Sequence, residues 1–265
     1  MHHLFVRRAA LAALCLAASG AAFADAKDDA VKARCPAVEA WGEKMAKAHP
    51  ALSEEGLARD DSAGGLTDPD MRKELDKRAA ADQSTRNAWI ASPQDKSRFE
   101  AMDKVDKDNL AWMKTNFAKN GFPHANAVGL RGVADAFILV QHAVGDVPFM
   151  AAMLPQVQAR GEAGELKKSD VAMLIDRVLR KQGKPQRYGT QYMSTNMSNM
   201  ADMKMDPTED MAKLDERRAS MDLMPHADYE CALKIFYAPD APATPAPSPA
   251  PQTPPSDAGA RPPGH

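Results

Sequence analysis

Beyond its first two dozen residues the sequence has no apolar run long enough to cross a bilayer, which takes about 20 residues of helix. The body of the chain is therefore expected to be soluble. A basic excess is missing too. Of 34 Lys and Arg, two (Arg7 and Arg8) lie in the first 24 residues, which hold no Asp or Glu; 32 bases then face 36 acids, a formal charge of −4. That balance excludes a nucleic-acid surface, which needs clustered positive charge. Several standard chemistries are absent: no His-Glu-x-x-His, no Gly-x-Ser-x-Gly, no glycine-rich loop leading to a lysine. Asp60 to Asp70 is acid-rich but lacks the spacing and final Glu of a calcium loop. No cofactor is expected. There are only three cysteines, and none falls near the polar positions singled out below, so a cysteine nucleophile is not expected either.

What is present begins with a secretory leader over residues 1–24. Arg7 and Arg8 supply the positive end, Ala9 to Ala18 a short apolar stretch, and Ala22-Phe23-Ala24 a small-x-small cleavage site. Cys15 follows Leu14 inside the apolar run, the wrong context for lipidation, and would leave with the leader. A periplasmic or secreted location follows. In such an oxidising compartment Cys35 and Cys231 either form a bridge between the first mature helix and the last, or stay as two buried thiols. At the other end, ten of the 20 prolines lie in residues 239–265, among Ala, Ser and Thr. That composition predicts a disordered tail over 238–265, either a spacer or passive.

Between these ends the periodicity predicts an all-α, single-domain helical bundle with a small β-hairpin near residues 186–206. Residues 25–68 read as an N-terminal helix (26–48) and a loop, and 69–237 as the helical domain. Asp68-Pro69 starts a helix running to about Ala91. Ser92-Pro93 starts the next, closed by Gly121. Residues 130–143 are apolar on most sides and belong in the core. Ser169 caps a helix ending at Gly183, and Asp206-Pro207-Thr208-Glu209 has the spacing of another helix start.

Polar groups where the pattern demands hydrophobes carry the functional signal. The inward stripe of one helix reads Met71, Leu75, Ala79, Asp82, Arg86, Trp89. The next reads Phe99, Met102, Asp106, Asn109 with Leu110, Met113, Phe117. Gln141 and His142 close the buried helix, and Arg177 lies one turn past Leu174. Interruptions on four helices predict one shared polar pocket inside the bundle.

Asp82-Gln83-x-x-Arg86, Gly121-Phe122-Pro123, Gln141-His142-Ala143, Asp176-Arg177 and Gln186-x-Tyr188-Gly189-Thr190-Gln191, in that order, resemble the bacterial "domain of unknown function 6624" family over roughly residues 70–230. Asp215-Glu216-Arg217-Arg218 and Tyr229 fit the same pattern, whereas the Met-rich stretch after Tyr192 departs from it. The resemblance implies a common fold and a shared polar cluster, and brings no reaction with it.

His142, with Asp82 and Arg86, is the catalytic candidate. Its ordinary pKa near 6.5 suits proton transfer, and a carboxylate and an arginine beside it suit phosphate or carboxylate esters. A structural histidine holding helices in register is the preferred reading, and the leading expectation is a non-enzymatic protein that binds through the pocket, with a hydrolase or transferase using His142 as the alternative. Gln141, Arg177, Gln186, Tyr188 and Gln191 are the candidate binding residues, or else satisfy helix ends. The expected partner is a small polar ligand or an envelope protein. No metal site is expected, apart from the alternative that the thioethers of Met197, Met200 and Met203 bind Cu(I), against their use as flexible hydrophobes.

Overall fold

A computed structural model describes residues 21–62, 64–193 and 203–236. Most of the expected leader and the whole expected tail lie outside these residues. The fold is all-α: helices α1 (Ala21–Arg34), α2 (Pro36–Ala48), α3 (Glu54–Ser62), α4 (Pro69–Ala91), α5 (Lys96–Asn120), α6 (Ala125–His142), α7 (Val147–Glu162) and α8 (Lys168–Lys181) come first. Two short strands follow, β1 (Tyr192–Met193) and β2 (Lys204–Met205), then α9 (Leu214–Ser220) and α10 (His226–Phe236). The strands pair antiparallel with Tyr192 opposite Met205.

The differences from the expected boundaries have local causes. Pro36 splits the single helix expected over 26–48: Cys35 before it takes φ −130°, ψ 61°, because a residue preceding proline is pushed out of the helical region. Part of the expected 50–68 loop is helical, since the Ser53 hydroxyl accepts the Gly56 amide at 3.0 Å and starts α3. Helix α5 begins at Lys96 with Asp95, not Ser92, as its cap; the Asp95 carboxylate accepts the Ser97 amide at 3.0 Å. Helix α6 is kinked at Gly129 (φ 73°, ψ 165°), so its long part starts at Leu130 as expected; the turn before the kink has its Ala125 amide held by Glu165, from the α7–α8 connection, at 3.1 Å. Lys167, rather than Ser169, stands at the α8 N-cap. No helix starts at Asp206, because Gln186 takes that backbone: its amide donates to the Pro207 carbonyl and its carbonyl accepts from Glu209, both at 2.9 Å.

The main core packs Leu75 of α4, Met113 and Phe117 of α5, Val133, Phe137 and Val140 of α6, Met150 and Val157 of α7, and Leu174 of α8. Helices α4 and α6 make the most extensive pairing and run in the same direction, for Arg72 bonds the Val128 carbonyl while Asp82 meets His142 ten residues on. Their close approach needs Gly132: a Cβ there would stand 2.9 Å from Cδ of Arg72. A second apolar cluster joins Val31, Cys35 and Val38 to Tyr229, Leu233 and Phe236 of α10. The Cys35–Cys231 disulfide, with Cα atoms 6.1 Å apart, ties that cluster together.

Candidate functional site

Asp82 and Arg86, four residues apart on α4, share a face by helical geometry and meet two other helices there. The Asp82 carboxylate is buried and takes Nδ1 of His142 at 2.8 and 3.0 Å. It also accepts Nε2 of Gln83 at 2.8 Å and Nη2 of Arg86 at 3.4 Å. Arg86 reaches on to α5, donating from Nη2 to Asp106 at 2.7 Å, with Nη1 3.4 Å from Sδ of Met102. Asp82, Arg86, Asp106 and His142 are thus one connected network drawn from three helices.

Burial pushes the Asp82 carboxyl up, but the hydrogen bonds and charges of His142 and Arg86 outweigh it and hold the group below its ordinary value. Burial dominates at His142: it lowers the pKa, helped by the charges of Arg86 and Arg177, against the pull of Asp82. At neutral pH the pair is therefore a carboxylate beside a neutral imidazole. The carboxylate accepts the Nδ1 proton, which leaves Nε2 as the basic nitrogen. Among the described residues Nε2 makes no hydrogen bond, and it is not one of the buried polar atoms sealed without a partner. It touches solvent. Asp106, where burial outweighs the neighbouring guanidinium, is raised to about 6.

Arg177 borders the same centre. Its Nη1 donates to the Gln141 carbonyl at 3.0 Å, next to His142, and its Nε donates to Oε1 of Gln191 at 3.3 Å. Gln141 is buried on α6 and meets Arg177 through its backbone carbonyl. Gln191 belongs to a loop, residues 186–191, held from both sides. From one side the buried Asp176 carboxylate accepts the amides of Arg187, Tyr188 and Thr190 and the Thr190 hydroxyl, at 2.7–3.2 Å. From the other, Arg218 of α9, fully buried, donates from Nη1 to the carbonyls of Tyr188 and Gly189 at 2.7 and 3.2 Å. Its guanidinium also lies 4.9 Å from the Tyr229 ring centre. The two buried charges face each other across the Gly189–Thr190 peptide, whose N–H meets the carboxylate and whose carbonyl meets the guanidinium, which offsets part of the cost of burying each.

Gln186 completes the loop by acting as a surrogate strand. Its side-chain amide donates to the carbonyls of Gln191 and Asp206 at 2.9 and 3.0 Å and accepts the Gln191 amide at 2.8 Å. Gly189 takes φ 64°, and a Cβ there would lie 2.9 Å from Sδ of Met205, so both conformation and space demand glycine.

Of the residues singled out in the sequence, Asp82, Arg86, Asp106 and His142 meet directly, and Gln141, Arg177 and Gln191 adjoin them. Gln186 and the backbone of Tyr188 lie in the loop that carries Gln191. Asn109 belongs one turn away, accepting from Arg78 at 3.1 Å. Phe99, expected to face inward, is 47% exposed. Met203 is buried in the second apolar cluster, and Met197 and Met200 lie outside the described residues. Sequence reasoning passed over the anchoring role of Arg218; its signal was the spacing from Leu214, four residues back on the same buried face.

The chain belongs to the family described as "Family of unknown function (DUF6624)", whose model matches residues 69–239. No curated protein and no solved structure matches it. The match begins at the first residue of α4 and takes in every residue of the polar network. Helices α1 to α3 stand before it, although Cys35 binds them covalently to α10 within it.

Proposed function

We propose that the protein is exported and that its polar network is a small-molecule site of hydrolase or transferase type, with His142 as the proton-transfer group. One observation carries the reading: a buried imidazole held at Nδ1 by a buried carboxylate, with no hydrogen bond at Nε2 among the described residues. Asp82 fixes the tautomer and stabilises the imidazolium that forms when Nε2 takes a proton from water or from a ligand hydroxyl. Arg86 and Arg177 stand where negative charge can be met as it develops on a phosphate or carboxylate ester. A purely binding role for a small polar ligand or an envelope partner uses the same residues, but it gives no reason for Nε2 to be left open. Export is supported by the Cys35–Cys231 bridge, which persists in oxidising compartments, and by the leader in the sequence.

The test is turnover of p-nitrophenyl phosphate and of p-nitrophenyl carboxylate esters by the full chain. Turnover of at least one class is expected, falling about 10²–10⁴-fold in His142→Gln, while a circular-dichroism melt shows the variant folded. If neither class is turned over and His142→Gln changes only the melting temperature, His142 is structural and the proposal fails.

A further inference from the structure

The stripe that buries Asp82, Arg86 and Asp106 does not end with them. On α4 it continues through Trp89 and Ile90, and on α5 it runs back through Met102 to Phe99. Helix α6 stops at His142, opposite Asp82, whereas the nine residues after Asp82 carry α4 about 13 Å further. Among the described residues α4 and α5 pack on each other and on α6, and on no other element to a comparable extent. The end of the α4–α5 hairpin therefore extends past the His142 end of the polar network.

That overhang is apolar and uncovered. Trp89 and Phe99 meet edge to face with ring centres 6.0 Å apart; Phe99 is 47% exposed and Ile90 41%. Val144, two residues past His142, is 38% exposed. Three of the five exposed large hydrophobics among the described residues thus lie at the His142 end of the molecule. Scattered exposed hydrophobics need no explanation; a group at the end of a buried polar network with an unbonded base does. At its inner end one guanidinium, Arg86, lies between two carboxylates, Asp82 and Asp106. This balance suits a neutral polar head better than a free anion.

We infer that the site takes a neutral carboxylic ester whose acyl chain lies along Phe99, Trp89 and Ile90. The inference rests on the proposed function and names its substrate class. From Arg86 to Ile90 is one helical turn, about 6 Å, which a chain of about five carbons spans. Shorter chains leave the shelf partly bare, and longer ones pass beyond Ile90 into water.

Straight-chain carboxamides from acetamide to heptanamide test this without turnover, being neutral and stable. They are titrated into the full chain while the Trp89 indole N–H is followed by NMR. Affinity is expected to rise about fourfold per methylene up to about five carbons and then to level off. Phe99→Ala with Ile90→Ser, both at exposed positions and so compatible with folding, should abolish the rise and leave acetamide within twofold. Hexanamide binding no tighter than acetamide, or a chain-length dependence that survives the double substitution, would overturn the inference. The two proposals fail separately: a chain-length dependence without ester turnover removes proton transfer and keeps the shelf, whereas turnover indifferent to acyl length removes the shelf and keeps His142.

Discussion

Replacing Asp82 by asparagine keeps the volume of the side chain and removes its charge, so the cost comes from electrostatics and hydrogen bonding alone. The carboxylate accepts from His142 and Gln83 at 2.8 Å each and from Arg86 at 3.4 Å, at 1% exposure. Asparagine offers one acceptor oxygen, and its amide group sets donors against donors. Arg86 keeps Asp106 at 2.7 Å and is not stranded, which limits the damage. Losing two charge-assisted bonds and part of a buried pair costs about 3–5 kcal/mol. For a domain of this size that lowers the melting temperature by about 6–20 °C, at about 2–4 °C per kcal/mol. Urea unfolding at pH 7 measures it. The sign with pH is fixed as well: the folded-state pKa of Asp82 is depressed, so its stabilisation is complete above about 4, the ordinary carboxylate value, and is lost as pH falls below it. The gap between wild type and variant should therefore narrow in acid. A loss under about 1 kcal/mol at pH 7, compared with the scale of a surface pair, would refute the claim that this carboxylate organises the network.

Asp106 should act in the opposite sense. Its pKa is raised to about 6, so its ionisation weakens the fold as pH rises from about 4 to about 6, by up to about 3 kcal/mol at about 1.4 kcal/mol per unit; Asp106→Asn should gain stability over wild type at pH 8 and not at pH 4 in the same urea assay. The disulfide closes a separation of 196 residues, for which loop entropy gives about 5 kcal/mol. Cys231→Ser should lose a large part of that, and reductant should remove the difference between variant and wild type. A reductant-insensitive wild type would contradict the bridge's contribution.

Helix content and the inward placing of Asp82, Arg86 and His142 were legible from periodicity, and the α4 start from its Asp68 cap and Pro69. A charge on an apolar stripe must find an opposite charge inside. What the sequence could not show depends on long-range partners. Glu165, 40 residues away, caps the turn that precedes the Gly129 kink, and Gln186 diverts the backbone at Asp206 from a helix start. Asp176 and Arg218 hold the 186–191 loop between them; the spacing from Leu214 marks Arg218 as buried, but not which carbonyls it bonds. Phe99 fitted the inward stripe of α5 by period, but the stripe outlasts the partner helix, and periodicity does not tell where a neighbour ends.

The central claim concerns one proton. Long-range ¹H–¹⁵N correlation of the histidine rings, assigned by His142→Gln, shows which nitrogen of His142 carries hydrogen at pH 7. The account requires a protonated Nδ1 and a bare Nε2 at pH 7, with protonation setting in only below the ordinary 6.5, because burial lowers the pKa. A proton on Nε2, or an imidazolium at neutral pH, would contradict it.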